Sequence, residues 1–106
     1  ILQGEDIRLG RRVALKFIPE NVSENAEALE RFTLEARATS SLNHPNICTI
    51  YDIASHNGMP FIVMELLQGH SLKDRLDRGP LDALEVLDIG IQIADALEAA
   101  HAQGIV

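Results

Sequence analysis

Lys16 and Glu35 are the two residues whose types and places are hardest to explain without chemistry. The chain has only two lysines, Lys16 and Lys73. Lys16 falls in the middle of the apolar run Val13-Ala14-Leu15-Lys16-Phe17-Ile18. Alternation along a strand sets it on the same face as Ala14 and Ile18. A buried ammonium there needs a partner or loses its charge. Glu35 interrupts the apolar stripe of a helical segment, between Phe32 and Leu42. Taken singly, each has a plain reading: a lysine that snorkels to solvent from a strand, and a glutamate at the stripe's border beside Arg31. Taken together they solve each other. A carboxylate from the helix would hold the ammonium at the sheet and leave it able to meet an anion. Breaking a buried pair costs about 3–5 kcal/mol, and such pairs are kept more for function than for stability.

The elements that must position the pair follow from periodicity. Residues 12–18 read as a strand ended by Pro19, which cannot donate to a sheet ladder. Its two faces are mostly apolar, so cover on both sides is expected. Residues 1–7 are expected to precede it as a strand, turning through Arg8, Leu9 and Gly10. A helix then starts at a cap supplied by Asn21 or Ser23, with Glu24 placed as in a capping box. Its face carries Ala28, Phe32, Glu35, Ala38, Thr39 and Leu42, and it ends near Asn43 because Pro45 disfavours helical geometry at His44. Residues 47–54 and 60–67 form a hairpin around His56-Asn57-Gly58. Residues 71–77 form a short helix closed by Gly79 and Pro80. Asp82, with Glu85 three residues on, caps a long helix that is apolar on most of its girth.

The chain has 106 residues, 46% hydrophobic and 24% charged, with a net charge of -7. That describes one modest folded domain rather than a disordered chain. The acidic balance disfavours nucleic acid as a partner, since phosphate backbones are repelled. One cysteine, Cys48, excludes an internal disulfide and a cysteine-built metal site; it reads as a small core residue and fits a reducing, cytoplasmic setting. No run reaches the roughly 18 apolar residues of a membrane span. The four histidines lack metal-ligand spacing: His44 reads as a turn residue, and His56 and His101 as solvated. A start without Met and the stop Gly104-Ile105-Val106 read as cuts from something longer.

Four segments in order resemble one family. Val13-Ala14-Leu15-Lys16 resembles the V-A-I-K strand of protein kinases. Glu30 to Ala36, followed by Leu42-Asn43-His44-Pro45-Asn46-Ile47, looks like that family's regulatory helix and its exit. Phe61 to Leu72 resembles the strand and hinge joining the two lobes, and Leu97 to Val106 the stretch just before the catalytic H-R-D. The overall flavour is that of bacterial serine/threonine kinases of the eukaryotic type. The resemblance implies an α+β fold: a partial N-lobe and hinge over residues 1–67, then the start of a helical C-lobe over 68–106.

The resemblance also implies roles. Lys16 would contact the α- and β-phosphates of ATP and pair with Glu35. Ala14 would lie over the adenine, with Ile1 on its other edge. Met64 would be the gatekeeper, backbone groups of Glu65 and Leu67 would bond the adenine edge, and Ser71 would reach the ribose. Mg2+ would be held by residues outside this stretch. Phe32, Ile50 and Leu66 remain plain core. The pattern departs from the family in several places. No glycine-rich loop precedes Ile1, no H-R-D or D-F-G is present, Gly4 stands where alanine is common, Thr39 replaces a large aliphatic residue, and His70 replaces a glycine. The expected function is the ATP-binding half of a serine/threonine kinase acting on proteins, inactive by itself. The alternative is a pseudokinase module that binds partners without transferring phosphate, and a small-molecule kinase of similar fold stands behind both.

Overall fold

The computed structural model describes residues 2–8 and 10–106. Ile1 of the expected first strand and Leu9 of the expected turn lie outside them. The chain order is β1 (Leu2–Asp6), β2 (Arg11–Phe17), α1 (Glu20–Ser23), α2 (Ala26–Ser40), β3 (Ile50–His56), β4 (Met59–Glu65), α3 (Leu72–Asp77) and α4 (Ala83–Ala102). The strands form one antiparallel sheet in the order β1-β2-β4-β3. This is the expected α+β architecture, with the sheet and α2 first and two helices after the hinge.

Local chemistry sets most boundaries. Gly10, at φ 65°, takes the left-handed conformation that closes the β1–β2 hairpin. Asn57 and Gly58, at φ 52° and 78°, make the two-residue turn between β3 and β4. The register pairs Ala14 with Met64 and Lys16 with Ile62, so these four side chains share one face of the sheet. Phe17 and Phe61, also directly opposite, bring their ring centroids to 5.4 Å with planes tilted by 43° on the other face. Arg11 lies 3.7 Å from the centre of the Tyr51 ring, which links β2 to the bulged start of β3.

The first helical region corrects the sequence reading. Two helices occur where one was expected. Asn25, rather than Asn21 or Ser23, caps α2 by accepting from the Ala28 N–H at 3.1 Å. Asn21 and Ser23 are used up in α1, a single turn that begins right after Pro19. The face that α2 turns to β3 is centred on Ala36, which is 6% exposed, with Leu29, Phe32 and Thr33 partly buried beside it. A small residue at the centre lets helix and strand approach closely. Glu35 and Ala38, placed in the stripe by periodicity, are exposed. The core is small: Val13, Ala14, Ile18, Ala36, Leu42 and Ile62 are its buried residues.

The later helices follow the sequence closely. Ser71 caps α3 by accepting from Asp74 N–H at 3.1 Å, and Asp82 caps α4 by accepting from Glu85 N–H at 2.8 Å. Arg75 reaches across with both bonds of a fork to Glu85, at 2.9 and 3.1 Å, fixing α3 to α4. Gly104, at φ 78°, ends α4 in a Schellman turn: Ile105 N–H donates to Ala100 O and Gly104 N–H to His101 O, both at 3.0 Å. Leu84, Leu87 and Ile91 of α4 remain 78%, 61% and 67% exposed, which matches a helix apolar around its girth with little to pack on here. None of the described helices is long and apolar enough to cross a membrane.

Candidate active site

The sheet and the hinge bring most of the expected site residues to one region. Ala14 on β2 and Met64 on β4 are register partners, with Lys16 two residues along β2 on the same face. Ala14 is 5% exposed, so a larger side chain there would meet neighbours before it met a ligand. The chain then leaves β4 at Glu65 and enters the hinge. Ile1 lies outside the described residues.

Lys16 and Glu35 depart from the expected geometry. Both are exposed, and among the described residues neither takes part in an ion pair. The cause lies in α2: its packing face is centred on Ala36, and Glu35, one residue earlier, is rotated about 100° away from it. Two charges left in water avoid the several kcal/mol that drying each would cost. A pair becomes favourable only if something excludes water from this face or brings α2 closer.

The hinge offers backbone groups of the right kind. The Glu65 N–H is taken by Thr49 O at 2.9 Å, and the Glu65 carboxylate accepts from Thr49 N–H at 3.2 Å. The Glu65 carbonyl accepts only from the Cys48 thiol, at 3.6 Å, a weak donor that leaves a lone pair open. The Leu67 N–H donates to no group among the described residues. One acceptor and one donor two residues apart can bond a flat ring edge that carries the complementary pair, as an adenine does. Ser71 spends its oxygen on the α3 cap but keeps its hydroxyl proton to donate.

Burial raises the Cys48 thiol pKa above its ordinary value, and the nearby Glu65 charge adds to the shift. Cys48 is half-buried and inert rather than fully enclosed core. It borders an open cleft of about 510 Å3 between the hinge and α4, lined also by Glu65, Leu67, Ile89, Ile93 and Leu97. Ala14, Lys16 and Met64 do not line that cleft, so its size does not make it the nucleotide site. A second cleft, of about 500 Å3, lies between the Glu35 side of α2 and residues Gly104 to Val106. Among the described residues no three His, Cys, Asp or Glu side chains gather to hold a metal.

One polar junction was not foreseen. His44 Nε2 lies 3.2 Å from Asp95 Oδ2, and Asn46 Nδ2 is 3.5 Å from the same oxygen. The Asn46 N–H donates to His44 Nδ1 at 3.0 Å. That backbone donor fixes the tautomer: Nδ1 carries the lone pair and Nε2 the proton. Sequence reasoning took His44 as a turn residue, and it does serve the turn. It missed Asp95, although Asp95 is the one charged residue between Asp88 and Glu98 in an apolar stretch of helix. With the Asp95 side chain 57% exposed, the contact adds at most about 1 kcal/mol of stability.

All 106 residues match the protein kinase domain family. The chain belongs to that family. The Bacillus subtilis serine/threonine-protein kinase PrkC is 42% identical over 103 residues, covering 96% of this chain and 16% of PrkC. Mycobacterium tuberculosis PknA is 41% identical over 112 aligned positions, covering the whole chain and 26% of PknA. The crystal structure of the M. tuberculosis PknI kinase domain superposes with a TM-score of 0.87 at 28% identity, over 96% of this chain and 42% of that one. This kinase-family chain thus spans a quarter or less of the length of these curated relatives, and under half of the solved kinase domain.

Proposed function

We propose that this chain forms the ATP-binding part of a bacterial serine/threonine protein kinase that moves the γ-phosphoryl of ATP to protein Ser or Thr hydroxyls. The observation that carries the reading is the β2–β4 register. It sets Ala14, Met64 and Lys16 on one sheet face that runs directly into a hinge with an open carbonyl at Glu65 and an open N–H at Leu67. The working division is residues 1–67 for the nucleotide and 68–106 for the first helices of the substrate-bearing lobe.

In this reading the adenine packs against Ala14 and Ile1, with Met64 limiting the depth of the pocket. Glu65 O and Leu67 N bond the adenine edge, and the Ser71 hydroxyl donates toward the ribose. Lys16 meets the α- and β-phosphates, where a fixed positive charge stabilises the charge that develops during transfer. Glu35 comes to Lys16 when α2 closes on the nucleotide, which dries the face and makes the pair worth forming. Mg2+ would bridge the phosphates from ligands outside these residues. No residue here is placed as the base or the metal ligand, so the chain on its own is expected to transfer nothing. The setting would be the cytoplasm, where ATP is available.

The test is phosphoryl transfer by the full-length protein, with casein as acceptor, beside its Lys16→Met variant. Transfer by the first and its loss in the second is the expected result. ATP binding with no transfer under any metal condition would instead favour the protein-interaction alternative.

A further inference from the structure

The described polar side-chain contacts between the sheet-bearing half and helices α3 and α4 converge on one carboxylate, Asp95. Elsewhere the two halves face each other across the open cleft of about 510 Å3 beside the hinge, so they pack loosely. Asp95 takes hold of the turn that immediately follows α2. His44 is fixed at both ring nitrogens, by Asp95 at one and by the Asn46 backbone at the other. Its side chain is 16% exposed, and Leu42, just before it, is buried. The exit of α2 is therefore pinned to α4 at a point, while the Glu35 turn of the same helix stays free in solvent.

A helix held at one end and loose along its length swings about the held end. We propose that Asp95 is a positioning residue for the nucleotide site: by pinning His44 and Asn46 it sets the pivot about which α2 carries Glu35 to Lys16. This rests on the kinase reading above. Asp95 touches neither nucleotide nor substrate in this scheme and acts through Glu35. The useful group is its acceptor oxygen rather than its charge, because His44 presents an N–H from the neutral ring. The pin is too exposed to matter much for stability, so its loss should show in transfer kinetics before it shows in folding.

The experiment compares full-length wild type, D95A, D95N, E35Q and the D95A/E35Q double variant, measuring kcat and KM for ATP with casein as acceptor. D95A is expected to lower kcat/KM about tenfold. D95N, whose amide oxygen still accepts from His44 Nε2, should stay within about twofold of wild type. In the E35Q background D95A should add less than about twofold, because the residue it positions is already disabled. H44N provides the same comparison if D95A does not fold: its side-chain oxygen keeps the bond to the Asn46 N–H but does not reach Asp95. Wild-type kinetics for D95A, or losses that multiply fully with E35Q, would overturn the proposal while leaving the kinase reading intact. A wild type that transfers no phosphate would count against that reading itself.

Discussion

Two ion-pair geometries separate the two regions of this molecule. On the sheet face, Lys16 and Glu35 are the pair that sequence pattern singles out, and they stand apart in solvent. At the junction with α4, His44 and Asp95 are 51 positions apart and the sequence pattern joins nothing between them, yet they meet at 3.2 Å. The difference is one of packing. His44 follows a buried Leu42 and a proline-fixed turn, so its position is determined whatever the ligand state. Glu35 rides on an exposed helix face whose only firm anchor is Ala36 against β3. A resting contact marks where the fold is rigid, and an unmade one marks where it can respond to a nucleotide.

The largest effect should come from the responsive region. Lys16→Met is expected to reduce phosphoryl transfer by about 10²–10³-fold, the scale of losing one preorganised electrostatic group. Its unfolding free energy should stay within about 0.5 kcal/mol, because an exposed, unpaired side chain supports little. Denaturant titration beside a transfer assay separates the two quantities. A large loss of stability would mean that Lys16 is a structural residue and would erase the contrast.

Next in size is the anchor of α2. Ala36→Leu should destabilise the fold by about 1–3 kcal/mol by forcing the helix away from β3. The same substitution at Ala38, exposed on that helix, should be near neutral in the same titration. Equal costs at both sites would show that the packing face is the one periodicity suggested rather than the one described here.

Helix caps come third. Asn25→Ala and Asp82→Ala should each lose about 1 kcal/mol, seen in thermal melts. Asn21→Ala should lose less, because the Asn21 side chain caps nothing.

The smallest effect concerns Cys48. Its thiol pKa lies above the ordinary value, chiefly through burial and then through Glu65. At a given pH below that raised value less thiolate is present than in the unfolded chain, and the thiolate is the nucleophile. Iodoacetamide should therefore label folded Cys48 more slowly than denatured Cys48 near pH 8, with the gap closing as pH rises through the folded pKa. Glu65→Gln removes the second contribution and should narrow the gap slightly.

Much of the fold was legible because short-range chemistry dictates it. The Asn57-Gly58 turn, the Ser71 and Asp82 caps and the Gly104 stop each depend on a few adjacent residues. The alternation in residues 13–18 correctly set Ala14 and Lys16 on one face, and the hinge region emerges where β4 ends. What escaped depends on rotation and distance. The apolar stripe of α2 is compatible with a centre at Glu35 or at Ala36, and only contact with β3 decides between them. The split into α1 and α2 turns on which of three nearby polar residues caps, and Pro19 biases that choice by starting a turn of its own. Asp95 was invisible because its partners lie 49 and 51 positions away, beyond any helical or strand period.

The most direct test of the account uses the chain's only two lysines as internal rivals. Lys16 is placed at the phosphates, whereas Lys73 sits in solvent on α3, with an 84% exposed side chain 3.3 Å from Asp77. The full-length protein would be treated with an acyl-phosphate derivative of ATP, which acylates an amine held near the phosphates, and the labelled peptides read by mass spectrometry. The account predicts labelling of Lys16 that excess ATP suppresses, with little at Lys73. Equal labelling of the two, indifferent to ATP, would contradict it.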